Sequence, residues 1–100
     1  VTLEEVVYEG YGPGGVAFMV RTETSNRNWS LAEVKNAFER WGGSLGSPGS
    51  AAYAFQLENG RYVPTVKMPV DGETLAKVNQ LVETLEEQED VDQVVMNAVV

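Results

Sequence analysis

Gly10, Gly12 and Gly15 stand at the G-x-G-x-x-G spacing of a loop that cradles a dinucleotide pyrophosphate. That chemistry needs its glycines between a strand and the first turn of a helix, whose free amides hold the phosphates. Here Tyr8-Glu9-Gly10-Tyr11-Gly12-Pro13-Gly14-Gly15 runs into Val16-Ala17-Phe18-Met19-Val20-Arg21-Thr22, a second strand. Val16, Phe18 and Val20 fall on one side of it, and Ala17, Met19 and Arg21 on the other. Pro13 removes one of the loop amides, and no Lys-Ser/Thr pair follows to make a P-loop. The glycines read as a turn or bulge that re-aims the chain between strands, and no cofactor is expected.

The acidic run from Glu83 to Asp92 raises two further chemistries, calcium binding and paired catalytic carboxylates. It lacks the alternating oxygen ligands and central glycine of a calcium loop, so it reads as the solvated face of a helix. The chain has no cysteine and no histidine. That removes thiolate nucleophiles, disulfides, the usual zinc ligands and the commonest general base. An enzyme would need a carboxylate pair that the spacing does not show, and the expectation is no enzyme and no metal.

What remains is docking. The candidate residues are Tyr11, Gly12 and Gly14 of the glycine turn, with Arg21, Arg27, Arg40 and Lys67 as phosphate contacts if folding gathers them there. Trp29 and Trp41 read as packing residues. The net charge of −8 opposes a phosphate backbone, since nucleic-acid affinity rests on Lys and Arg displacing counterions. Yet the charge is uneven: positions 71–92 carry eight acids against Lys77, a net of −7, leaving −1 for residues 1–70.

The elements that must position these residues are legible. Residues 3–9 form a short strand, followed by the glycine turn and the strand already named. Ser30 and Glu33 make a capping box, with Trp29 and Val34 at the staple positions, for a helix from Leu31 to Trp41. Its stripe is Leu31, Val34, Ala37, Phe38 and Trp41, and Gly42 supplies the stop. A second glycine-rich loop, Gly42 to Gly49, leads to a half-buried strand over 50–57 carrying Tyr53, Phe55 and Leu57. Asn59-Gly60 is a two-residue hairpin signal into a strand over 61–68, where Pro64 must face an unpaired side or a bulge. Asp71 caps a second helix with the stripe Leu75, Val78, Leu81, Val82 and Leu85. Residues 91–100 close as a strand.

Leaving aside the first strand, this order is βαββαβ, the split unit of a ferredoxin-like α+β fold. It places two helices on one face of an antiparallel sheet, with an extra short N-terminal strand. The other sheet face, with Met19 and Arg21, is expected to meet solvent, a partner or a second copy. One hundred residues, 43% hydrophobic and 22% charged, suit a single domain, 1–100. No apolar run reaches the roughly 18–20 residues of a membrane span and no signal pattern opens the chain, so a soluble cytoplasmic protein is expected, with no membrane partner. The first residue, Val1, is not Met, which reads as a fragment or processed chain.

Three segments resemble the YebC family of bacterial regulators, which includes mitochondrial translational activators. They are Tyr8 to Ala17 with its glycine turn, Asn26-Arg27-Asn28 with Ala32-Glu33-Val34 and Ala37-Phe38, and Gly42-Gly43-Ser44-Leu45-Gly46 through Ala52-Tyr53 and Phe55. The end of the chain, Leu81 to Leu85 and Asp90 to Ala98, is similar to the family's last helix and strand. The resemblance implies a central ferredoxin-like domain without the basic N-terminal domain, and with Glu58-Asn59-Gly60 where a further domain is inserted. Ser44 stands where the family has Asn. The implied function is a non-enzymatic regulator of transcription or translation that docks on nucleic acid, the ribosome or protein. The alternative is a protein-interaction or self-associating module, including a minimal scaffold with no activity of its own.

Overall fold

The computed structural model describes residues 2–100. The chain folds as β1 (Glu4–Tyr11), β2 (Ala17–Thr24), α1 (Arg27–Arg40), β3 (Ser44–Leu45), β4 (Phe55–Glu58), β5 (Arg61–Pro64), β6 (Met68–Pro69), α2 (Gly72–Glu86), β7 (Val91–Met96) and β8 (Ala98–Val99). This is the α+β class expected, an antiparallel sheet with two helices on one face in a ferredoxin-like arrangement. The sheet order is β3-β1-β2-β7, so the N-terminal strand is a full member, paired with β2 from Glu4↔Thr24 to Tyr11↔Ala17.

Strand alternation writes the main core. Val6 and Tyr8 on β1, with Phe18 and Val20 on β2, turn to the helix side and meet Val34, Ala37 and Phe38 of α1 and Val78, Leu81 and Leu85 of α2. Phe18 and Phe38 pack edge to face, ring centres 5.4 Å apart, a contact that adds about 0.5–1.5 kcal/mol beyond area burial. Asp71 caps α2 as read, its carboxylate accepting the Thr74 N–H at 2.7 Å. Gly42 ends α1 at φ 82°, a left-handed position that favours glycine.

The start of α1 differs from the capping-box reading. The helix begins at Arg27, and Asn26 is its cap, accepting the Trp29 N–H at 3.0 Å. Asn caps as well as Ser, and Thr24 Oγ1 steadies the turn by accepting the Asn26 N–H at 3.0 Å. Ser30 is therefore buried a turn inside the helix, while Trp29 and Leu31 are exposed rather than packed.

The second sheet face is not open. Ala17 and Met19 are buried there under Ala51, Ala54 and Phe55, with Val7, Tyr11, Ala52, Tyr62 and Val95 around them. The glycine-rich segment after α1 lets the chain double back across this face, so the strand expected over 50–57 is mostly a turn. Only Phe55–Glu58 is extended, and Tyr53 and Leu57 are exposed at 62% and 56%. The Asn59-Gly60 turn is as read, both residues at positive φ (51° and 78°), and β4 and β5 form a sheet of their own. The strand expected over 61–68 divides into β5 and β6. The last strand divides at Asn97, and β8 then pairs parallel with β6.

Candidate functional site

The two glycine-rich segments fold as one unit, held by β1. A methyl group on Gly43 would lie 2.3 Å from the Tyr11 carbonyl oxygen, and one on Gly10 would lie 2.8 Å from that of Ser44. Only glycine allows backbones so close. The Glu9 carboxylate then organises the loop beyond: it accepts N–H bonds from Gly49 at 2.7 Å, Ala51 at 2.9 Å and Ala52 at 2.8 Å. Charged acceptors make the stronger hydrogen bonds, so one acid fixes the turn that covers the second sheet face. The Tyr11 hydroxyl donates to the Ser50 carbonyl. The neighbouring Tyr53 hydroxyl, then burial, then the Glu9 charge push the Tyr11 phenol above its ordinary pKa.

Gly12 lies buried, where a methyl group would meet Phe18 at 2.7 Å and Leu81 at 3.2 Å. It spaces the turn against α2. Gly14 and Gly15 are exposed, with φ of 73° and 78°, and sit beside Thr74, Val70 and Met68. Of the candidate residues, Gly14 presents the turn to solvent while Tyr11 and Gly12 are committed to internal contacts. Lys67 is exposed, and its ammonium donates to the Pro64 carbonyl at 3.4 Å rather than to the turn.

The arginines are not gathered there. Arg27 opens α1 and lies 3.7 Å from Glu4, while Arg40 closes the same helix over the Trp41 ring, 5.2 Å from its centre. At 1.5 Å per residue the two are about 20 Å apart along the axis. Arg21 works on the second sheet face, where its guanidinium donates to the Gly60 carbonyl and covers the Tyr62 ring at 5.5 Å. It ties the β4–β5 hairpin to the sheet. The acidic run leaves α2 through its last turn, and among the described residues no group of three or more acids is placed to hold a metal ion.

Two residues that organise the site escaped sequence reasoning. Glu9 looked like one more strand acid; its signal would have been an acid next to a glycine turn, facing a second glycine loop. Asn97, 2% exposed, breaks the last strand. Its side chain accepts the Ala17 N–H at 2.8 Å and donates to the Val66 carbonyl at 2.9 Å, while its backbone bonds Ala17 and Met68. An Asn inside a β-branched run was the available sign.

Residues 3–60 match the family described as TACO1/YebC second and third domain. A probable transcriptional regulatory protein of Thioalkalivibrio sulfidiphilus is 61% identical over 58 residues, 58% of this chain and 23% of that one. A second, of Clostridium novyi, is 55% identical over 56 residues, again 56% of this chain and 23% of the relative. The chain thus spans about a quarter of the length of the curated relatives it matches. A crystal structure of a conserved hypothetical protein from Aquifex aeolicus superposes with a TM-score of 0.89 at 28% identity, covering 98% of this chain and 65% of that one. The matched stretch runs from β1 through both glycine segments to the β4–β5 turn, and the chain belongs to the TACO1/YebC family.

Proposed function

We propose that residues 1–100 form one core domain of a YebC-like regulator of gene expression, acting in transcription or translation without catalysis. The observation that carries this reading is that the family match, 3–60, covers β1, β2, α1 and the doubled-back loop, the parts that lock the two glycine segments together. Such a unit offers a rigid, shaped backbone for docking. Docking on nucleic acid, or on a ribosome, uses the exposed Gly14–Gly15 turn, with Lys67, Arg27 and Arg40 adding separate cationic contacts. A cytoplasmic location is part of this proposal. No helix among the described residues is long and apolar enough to cross a membrane.

The test is binding to RNA, DNA and ribosomes at low salt, for the wild type and Lys67→Glu. Reversing one phosphate-contacting charge weakens binding several-fold and flattens its salt dependence by about one unit of slope. Equal binding by the variant removes Lys67 from the contact. No binding of any of the three by wild type leaves the domain without the proposed role. A second reading, protein interaction or self-association, draws on the exposed apolar side chains Tyr53, Leu57, Val63 and Val66 around the hairpin. A strictly monomeric species by light scattering, with no protein partner in pull-down, counts against it.

A further inference from the structure

Asn59-Gly60 closes the β4–β5 hairpin at an exposed tip, and the pair carries a chemistry of its own. An asparagine carboxamide can close on the next peptide nitrogen to form a five-membered imide. A side chain on the following residue hinders that closure, and glycine has none. Among Asn26, Asn28, Asn36, Asn59, Asn79 and Asn97, Asn59 is the one that glycine follows.

The fold sorts them in the same direction. Asn26 commits its side chain to the Trp29 N–H, and Asn97, 2% exposed, bonds Ala17 and Val66. Asn28, Asn36 and Asn79 lie within α1 and α2, where the next peptide nitrogen is already engaged: that of Trp29 by Asn26, those of Ala37 and Gln80 by the preceding helical turn. At the hairpin tip the ladder closes between Glu58 and Arg61, so the Gly60 nitrogen lies outside it. A methyl group on Gly60 would meet nothing within 4 Å, so the space around that nitrogen is open to a ring and to water.

We infer that Asn59 is a self-modification site whose conversion releases the hairpin. The Gly60 main-chain nitrogen loses its proton to hydroxide and attacks Asn59 Cγ; the bond from Cγ to the side-chain nitrogen breaks, and ammonia leaves. Water then opens the imide at one of its two carbonyls. Opening at Cγ leaves aspartate, which keeps the turn, since Asp-Gly suits the same left-handed pair as Asn-Gly. Opening at the main-chain carbonyl leaves isoaspartate, in which the main chain runs through Cβ and Cγ and is one atom longer. A two-residue turn with φ of 51° and 78° has no place for that atom. The Glu58↔Arg61 pair is then lost, and the Gly60 carbonyl moves off the Arg21 guanidinium. The same turn sets the rate. Ring closure needs Asn59 Cβ and the Gly60 nitrogen on one side of the Cα–C bond, and type I′ geometry holds them nearly opposite. Closure therefore waits for the hairpin to open, and the Arg21 clamp governs how often it does. Neither step depends on what the glycine turn docks on.

Ageing the protein in mildly alkaline buffer, followed by tryptic digestion and mass spectrometry, tests the site. The tryptic peptide Trp41–Arg61 has Asn59 as its one asparagine. Against an unaged control it should gain the mass difference between an amide and an acid and split into aspartyl and isoaspartyl peaks, while the peptides carrying Asn28 and Asn36 stay unchanged. Arg21→Ala should speed the conversion about tenfold. The isoaspartyl form, separated chromatographically, should lose amide-exchange protection across Phe55–Pro64 while β1 and β2 keep theirs. Asn59→Gly, which suits the same turn and has no carboxamide, should keep that protection over the same period. No conversion at Asn59, or an equal rate at Asn28 or Asn36, overturns the site. An isoaspartyl form with its hairpin protection intact overturns the release, a result that wild type alone gives even if Arg21→Ala does not fold. Conversion of folded Arg21→Ala at the wild-type rate overturns control by the clamp.

Discussion

Asn97 shows how much one side chain can hold when both of its polar groups are used. It bridges the start of β2 to the segment before β6, and its amide is out of reach of water. Asn97→Ala would strand the Ala17 N–H and the Val66 carbonyl, and unsatisfied buried groups cost about 1–3 kcal/mol each. Urea denaturation should therefore show a loss on the order of 2–4 kcal/mol, whereas Asn79→Ala on the exposed face of α2 should change stability by less than about 0.5 kcal/mol. Equal effects would mean that the clasp contributes nothing beyond the helix surface. Glu9 is the parallel case among charged residues, since its three N–H bonds replace the hydration a carboxylate gives up.

At the scale of elements, β4–β5 is a two-stranded sheet separate from the main one. A lone two-stranded hairpin is marginal in water, and this one is held by Phe55, by Tyr62 and by Arg21 at its turn. Arg21→Ala should speed amide exchange across Phe55–Pro64 by about tenfold or more while β1 and β2 keep their protection, as hydrogen exchange followed by NMR would show. Uniform loss would mean that the hairpin and the sheet open together. This hairpin also marks the limit of what sequence patterning reveals. Asn59-Gly60 was readable because the turn chemistry is local, as was the Asp71 cap and the α2 stripe through Val78, Leu81 and Leu85. The helix start was misread because Ser30 and Glu33 form a complete capping signal, whereas Asn26 signals with a single side chain. The second sheet face was expected open because Met19 and Arg21 alternate like solvent-side residues. Met19 is covered by the segment after the Glu9-held glycine loop and Arg21 by the β4–β5 hairpin, with no periodicity to announce either. The candidate site fared similarly: the glycine turn was legible as backbone shaping, but the dispersal of Arg21, Arg27 and Arg40 follows from tertiary placement.

Over the whole molecule, charge and packing pull against each other. The acids of 71–92 lie on α2 and its exit, with Lys77 their one cation in that stretch, so they repel along a short arc. Raising ionic strength from about 20 mM to about 0.5 M shortens the screening length from roughly 20 Å to a few ångströms, and should raise the unfolding midpoint. Tryptophan fluorescence, reporting on Trp41 against Thr84, and far-ultraviolet dichroism should give the same transition if residues 1–100 unfold as one unit. Separate transitions would divide the chain into two cooperative parts, and a falling midpoint would show that ion pairs outweigh the repulsion.

The bond between Ala17 and Asn97 joins residues 80 apart in sequence, while β1 and β2 meet across a five-residue connection. Closing a loop costs entropy that grows with its length, so the β1–β2 ribbon can assemble long before β7 arrives to zip along β2. Until it does, β2 is a bare edge, and Phe18 and Val20 lack the final cover of the last strand. The arrival of the C-terminal strand is then the slow event of folding, and a chain shortened before Val91 would collapse around a half-built sheet.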